Sequence, residues 1–186
     1  MSDYKKSDID ITNGSLRLVD NDNDGVFDVI FTENYLYIIA DGVLASKNVI
    51  MNAYQSPVSF DFYNVENYSI IYNGKEITLS DIKQKDVLNI LSTGNDNDDK
   101  VIIYITRDKI TGKVTGRDTS EETVEIDNVS YRLSDVYMCA GENKDSGYVE
   151  LKMGKEYDIY LDKFGKIAYV EIPDSRSKRV LDCGPD

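Results

Sequence analysis

Four aspartates and two asparagines crowd into the nine residues Asp20 to Asp28, "DNDNDGVFD", between the apolar runs "LRLV" and "VIF". Residues of this kind at this spacing can coordinate a hard cation. Calcium takes about six to eight oxygen ligands, and a short loop supplies them when carboxylates recur at alternate positions while a glycine lets the chain wrap round the ion. Asp20, Asp22 and Asp24 stand at positions one, three and five of such a frame, Gly25 at six and Asp28 at nine, with the backbone carbonyl of Val26 available at seven. Without a cation, carboxylates this close repel one another. These five residues, Asp20, Asp22, Asp24, Val26 and Asp28, are therefore the candidate ligands of a calcium ion. An ion there should raise thermal stability, and Asp24→Ala should abolish the shift.

The frame is not an EF-hand. Position twelve is Phe31, where that loop needs a bidentate glutamate, and the flanks alternate like strands. The spacing Asp-x-Asp-x-Asp-Gly-x-x-Asp is similar to the inter-strand loop of integrin-type propeller repeats, although a propeller needs several copies and one is present. A second acidic cluster, "NDNDDK" from Asn95 to Lys100, acts as a control: in either frame a lysine or an isoleucine falls where a ligand or glycine is required. It is expected to be a solvated hairpin loop.

Other chemistry has less support. The chain contains no histidine, which removes the commonest general base, zinc ligand and triad partner. Cys139 in "VYMCAGE" has no neighbouring base or basic activator, so it is expected to be an incidental thiol. Whether it pairs with Cys183 is left open by the sequence. The net charge of -13 repels phosphate backbones and anionic lipid, so nucleic acid is not an expected partner. No apolar run approaches the length of a membrane span, so no membrane insertion is expected. The N-terminus lacks the apolar stretch of a signal peptide, so the chain is expected to be soluble as it stands or, equally, a segment of a longer protein whose export signal lies elsewhere.

The elements that must position these residues are strands. Period-two alternation of β-branched and aromatic residues recurs in "FDVIF", "YLYIIA", "YSIIY", "DVLNIL", "KVIIYIT", "YDIYL" and "KIAYVEI", and fourteen tyrosines suit half-buried pleated faces. "YDIYLDKFGKIAYVEI" predicts a hairpin turning at Gly165, with Tyr157, Ile159 and Leu161 on one face. "LSDIK", Leu79 to Lys83, predicts one helical turn, and "GVLASKNVIM" a strand, turn and strand. A faint repeat aligns Ile82–Ile90 with Leu151–Ile159, each followed by a turn and a lysine-led strand. The fold class expected is all-β, as two small tandem β-barrel or β-sandwich units with at most short helical turns. The expected division gives an N-terminal unit over 1–112, a smaller one over 113–174 and a tail over 175–186.

Taken together, "LVDNDNDGVFDVIF", "YNGKEITLSDIKQKDVLNIL", "KVIIYITRDKITGKV" and "YDIYLDKFGKIAYVE" resemble the β-rich region of bacterial cell-surface proteins that carry surface-layer homology repeats. Two departures matter: Lys85 stands where such segments usually have glycine, and no such repeat is present, so wall anchoring is not carried over. The resemblance implies an extracellular, non-catalytic structural or interaction module on the bacterial cell surface, with other surface proteins or cell-wall polymer as partners. The alternative is a carbohydrate-binding module for wall polysaccharide, which predicts a line of exposed tyrosines along one sheet face.

Overall fold

The computed structural model describes residues 14–55, 57, 59–62, 65, 67–93 and 100–173. Most of the acidic cluster "NDNDDK", the tail and Cys183 lie outside them. The described chain is all-β with one helix. β1 (Gly14–Val19) and β2 (Val29–Leu44) lead through a 3-10 turn at Ala45–Lys47 into β3 (Val49–Asn52) and β4 (Ser59–Asp61). β5 (Asn67–Tyr72), β6 (Lys75–Ile77), a second 3-10 turn at Leu79–Asp81, β7 (Val87–Thr93) and β8 (Lys100–Thr106) complete the first sheet. The second sheet is formed by β9 (Lys109–Asp118), β10 (Thr123–Ile126), β11 (Val129–Arg132), β12 (Glu156–Leu161) and β13 (Ile167–Glu171), with α1 (Asp135–Glu142) between β11 and β12.

The first sheet runs β4-β3-β2-β7-β8-β5-β6 with β1 added on β2, and the second β11-β10-β9-β12-β13; neither order closes into a barrel. All pairings within the sheets are antiparallel except β5 with β8. The expected turns at Leu79 and through "GVLASKNVIM" are present, as is the β12–β13 hairpin, in which Gly165 has φ +74. The division expected between residues 112 and 113 falls inside β9, all of which lies in the second sheet.

Three apolar clusters hold these layers together. Ile38 and Ala40 on β2, Leu88 and Ile90 on β7, and Ile103 and Ile105 on β8 point to one face of the first sheet, where Phe62, Leu79 and Ile82 cover them. Their neighbours one residue along, Tyr37, Ile39 and Val87, face the other way and meet Ala140 of α1 and Ala168 of β13. The central strands are therefore buried on both faces, which is why they read as continuous apolar runs. The third cluster, including Val114, Val124, Ile159 and Ile167, lies within the second sheet under Tyr137. Polar links reinforce the junction: the Tyr54 hydroxyl donates to the Ala168 carbonyl at 3.1 Å, and Thr106 Oγ1 to the Leu161 carbonyl at 2.9 Å. Buried Asn89 donates to the Tyr104 carbonyl and accepts from the Lys163 amide, so its amide is satisfied rather than stranded.

The helix was not among the expected elements. Ser134 caps it by accepting from the Tyr137 amide, Asp135 occupies its first turn, and Tyr137 and Ala140, three residues apart, are its buried side. The faint repeat does have a structural counterpart. Lys85 and Gly154 occupy matched positions before β7 and β12, and both adopt left-handed backbone, with φ 71 and 75. Glycine is at home there and lysine is not; Lys85 is held by an ion pair of 2.6 Å to Glu171.

Candidate metal centre and the arm that carries it

β1 has a single strand partner, the first six residues of β2, in the register Gly14↔Asn34 through Val19↔Val29. The sheet proper begins one residue later, where Tyr35 pairs with Leu91 of β7. Residues 14–34 thus form a two-stranded arm with the acidic loop at its tip. Leu16, Leu18 and Phe31 on the arm, and Val26 and Phe27 in the loop, are all more than a third exposed, with Val26 at 63%. Leu16 and Leu18 point to one face of the arm and Phe31 to the other, where its cross-strand partner Arg17 places its guanidinium 4.9 Å from the Phe31 ring centre. An isolated two-stranded hairpin is marginal in water, so this arm depends on its ends.

At the root, Ser15 Oγ and the Tyr35 hydroxyl both donate to Glu33 Oε2, and Lys163 from the β12–β13 turn donates to the Tyr35 hydroxyl at 2.6 Å. The Lys163 ammonium also lies 4.1 Å from the ring centre of Tyr35 and 4.2 Å from that of Tyr104. Burial lowers its pKa, opposed by the negative charges of Glu33 and Asp162. Burial likewise pushes the Tyr35 hydroxyl up to about 12, with Glu33 adding to the shift.

At the tip, left-handed Asn23 (φ 59) and Gly25 (φ 87) coil the chain back on itself, and the Asp28 amide closes the loop on the Val19 carbonyl at 2.9 Å. Asp20 Oδ1 accepts the Asn23 amide and Oδ2 the Gly25 amide, at 2.7 and 3.0 Å. The Gly25 amide is the chief reason the Asp20 carboxyl titrates below its ordinary 3.8, with the Asn23 amide acting in the same sense. Asp28 Oδ2 accepts the Asn21 amide at 2.7 Å.

Oxygens of Asp20, Asp22 and Asp28 come within 4.8 Å of one another. Ligands on one calcium, each roughly 2.3–2.6 Å from the ion, lie at most about 5 Å apart, so these three fit a shared cation. Asp24 is placed differently. Its Oδ1 accepts the Val26 amide at 2.7 Å, and its carboxylate is not one of the converging three. The donor set is all oxygen, as calcium prefers, and the ion's chemistry would be structural: it would replace mutual repulsion with common coordination. Phe31 lies on a strand, in keeping with the inter-strand frame and not with an EF-hand.

The described tyrosines do not line an open face. Tyr35, Tyr37, Tyr54, Tyr137 and Tyr157 are buried, and among the described residues only Tyr68 is more than a third exposed. Cys139 is a free, exposed thiol on α1. Sequence reasoning missed the groups that gather where α1 meets β2: Asp135, Tyr37 and the buried Asp162. They are distant in sequence and carry no shared motif, so no local signal marks them. No protein-family model matches the chain, and a search of curated proteins finds no match. None of the described helices is long and apolar enough to cross a membrane.

Proposed function

We propose that this chain is a non-catalytic structural and interaction module of an extracellular bacterial surface protein, and that it meets its partner through the β1–β2 arm with calcium at the tip. The observation that carries the reading is the arm itself: two strands that leave the sheet exposing Leu16, Leu18 and Phe31. Apolar side chains exposed on both faces of a marginal hairpin favour coverage by another surface. Calcium suits this reading because weak oxygen sites fill at the concentrations found outside cells, on the order of 10⁻³ M. Its partners on this reading are other surface proteins or wall polymer. Among the described tyrosines five are buried and six half-buried, and Tyr68 alone is more than a third exposed, which gives a polysaccharide platform little to work with.

Co-sedimentation with isolated bacterial envelopes tests the proposal, using the full chain and a Leu16→Ser/Leu18→Ser/Phe31→Ser variant with calcium or chelator. Calcium-dependent retention of the parent, lost in a variant whose circular dichroism is unchanged, is the expected result. Equal retention of both proteins, or retention of neither, refutes it.

A further inference from the structure

A cavity of about 260 Å³ opens where β2 enters the sheet and faces α1. It is smaller than the pockets of roughly 300–1,000 Å³ that take drug-sized ligands, so its natural occupant is of side-chain size. Tyr35, Tyr37 and Tyr54 contribute to its lining, and α1 contributes Asp135 and Cys139. No lysine or arginine is among its described lining residues, and it belongs to a chain of net charge -13.

Its carboxylates are unequally engaged. Asp145 accepts backbone amides on both oxygens, from Gln55 and Gly147. Asp135 has no hydrogen bond or ion pair among the described residues. Burial raises its pKa; Lys166 lies within Coulombic reach but beyond ion-pair distance, while Glu122 and Asp162 add negative charge. Nearby, Asp162 is 1% exposed. Its Oδ1 is held by the amides of Phe164 and Lys166, but its Oδ2 has no partner within hydrogen-bond geometry among the described residues. The Tyr37 hydroxyl lies toward the Asp162 carboxylate and within Coulombic reach of Asp135. Asp135 and Asp162 thus place negative charge beside a tyrosine wall; the Tyr35 ring already carries the Lys163 ammonium, which leaves Tyr37 and Tyr54 as the rings nearest Asp135 without a cation of their own among the described residues.

We propose that this cleft binds a primary ammonium group on a short apolar stem, either the end of a partner's lysine side chain or a free alkyl amine. The head reaches the Asp135 carboxylate, and the stem lies along the tyrosine wall. The proposal stands apart from the arm and its calcium.

Cys139 provides the reporter. In a Cys183→Ser chain it is the single thiol, and its alkylation by iodoacetamide is timed against rising Nα-acetyl-lysine amide, n-butylammonium or the uncharged Nα,Nε-diacetyl-lysine amide. Alkylation slowed by the charged compounds and not by the uncharged one is expected. Asp135→Asn should raise the half-protecting concentration by roughly tenfold or more. Protection by the lysine derivative assigns the site to a polypeptide side chain, and protection by butylammonium alone to a free amine. Equal protection by charged and uncharged probes, protection by none, or an Asp135→Asn chain that binds as tightly overturns the proposal. If that variant does not fold, the contrast between charged and uncharged probes in the parent decides the matter.

Discussion

Calcium should protect the arm far more than the body of the protein. β1 pairs with β2 alone, while β7 and β8 lie at the centre of the first sheet, so the arm can open without disturbing the core. An ion that binds only the closed loop lowers the open population by the factor 1 + [Ca]/Kd. With Kd between about 10⁻⁴ and 10⁻³ M, roughly 10 mM calcium slows exchange of the arm amides by about ten- to hundredfold, or about 1.4–2.7 kcal/mol of local stability. The assay is amide hydrogen exchange across residues 14–34, with Leu88 and Ile103, both fully buried, as internal controls that should not move. Magnesium, which needs a stricter octahedral site and sheds water reluctantly, should protect much less. In Asp20→Ala, which loses the acceptor of two loop amides, the calcium-dependent ratio should fall to one. Arm exchange that is indifferent to calcium, or protection that survives in Asp20→Ala, refutes the reasoning. The rise in thermal stability expected from the sequence should accompany this protection, and because Asp24 is not among the converging carboxylates, Asp20→Ala takes the place of Asp24→Ala as the variant that abolishes it.

Two further outcomes follow from the charged groups of the interior. Asp86, 3% exposed, accepts from Arg107 Nε and Nη2 at 2.7 and 2.8 Å, and the guanidinium lies 4.1 Å from the Tyr72 ring centre. Asp86→Asn should cost about 2–4 kcal/mol in denaturant titration, with Arg107→Met added to it restoring part of the loss; full stability of the single variant would show the pair to be idle. Burial raises the Asp162 pKa above its ordinary 3.8, so the folded state holds the proton over a range in which the unfolded chain has released it. Stability must then fall as pH rises through that window. Asp162→Asn keeps an acceptor for the Phe164 and Lys166 amides, and should gain on the order of 1 kcal/mol at neutral pH, vanishing below 3.8. Melting curves of both chains across pH measure this.

The strands were legible because period-two alternation is local and strong, and both 3-10 turns and the Gly165 hairpin announce themselves in a few adjacent residues. The helix was not. Eight residues make barely two turns, and "VYM" within it reads equally well as strand, so only Ser134 and Asp135 hint at a start. The acidic frame could be read from spacing, but not which carboxylates converge. That depends on the left-handed turns at Asn23 and Gly25, which bring Asp28 back to Asp20 and leave Asp24 bonded to Val26. The amine cleft could not be read at all, since its walls come from residues near 35–57 and 135–145 and meet only through the shared middle core.

β2 is one strand of 16 residues that pairs in turn with β1, β7 and β3, its only register shift, between Ala40 and Gly42, lying beyond the first two pairings. Its continuity makes the module mechanically anisotropic. A pull along β2 from the acidic loop loads the five paired positions from Tyr35 to Ile39 in shear, all together, against β7. A sideways pull on β1 at the loop instead unzips the arm one pair at a time toward its root, where Ser15 bonds Glu33 within the arm and the Tyr35–Lys163 bond ties β2 to the second sheet. A load applied at the tip is thus resisted firmly in one direction and yields easily in the other.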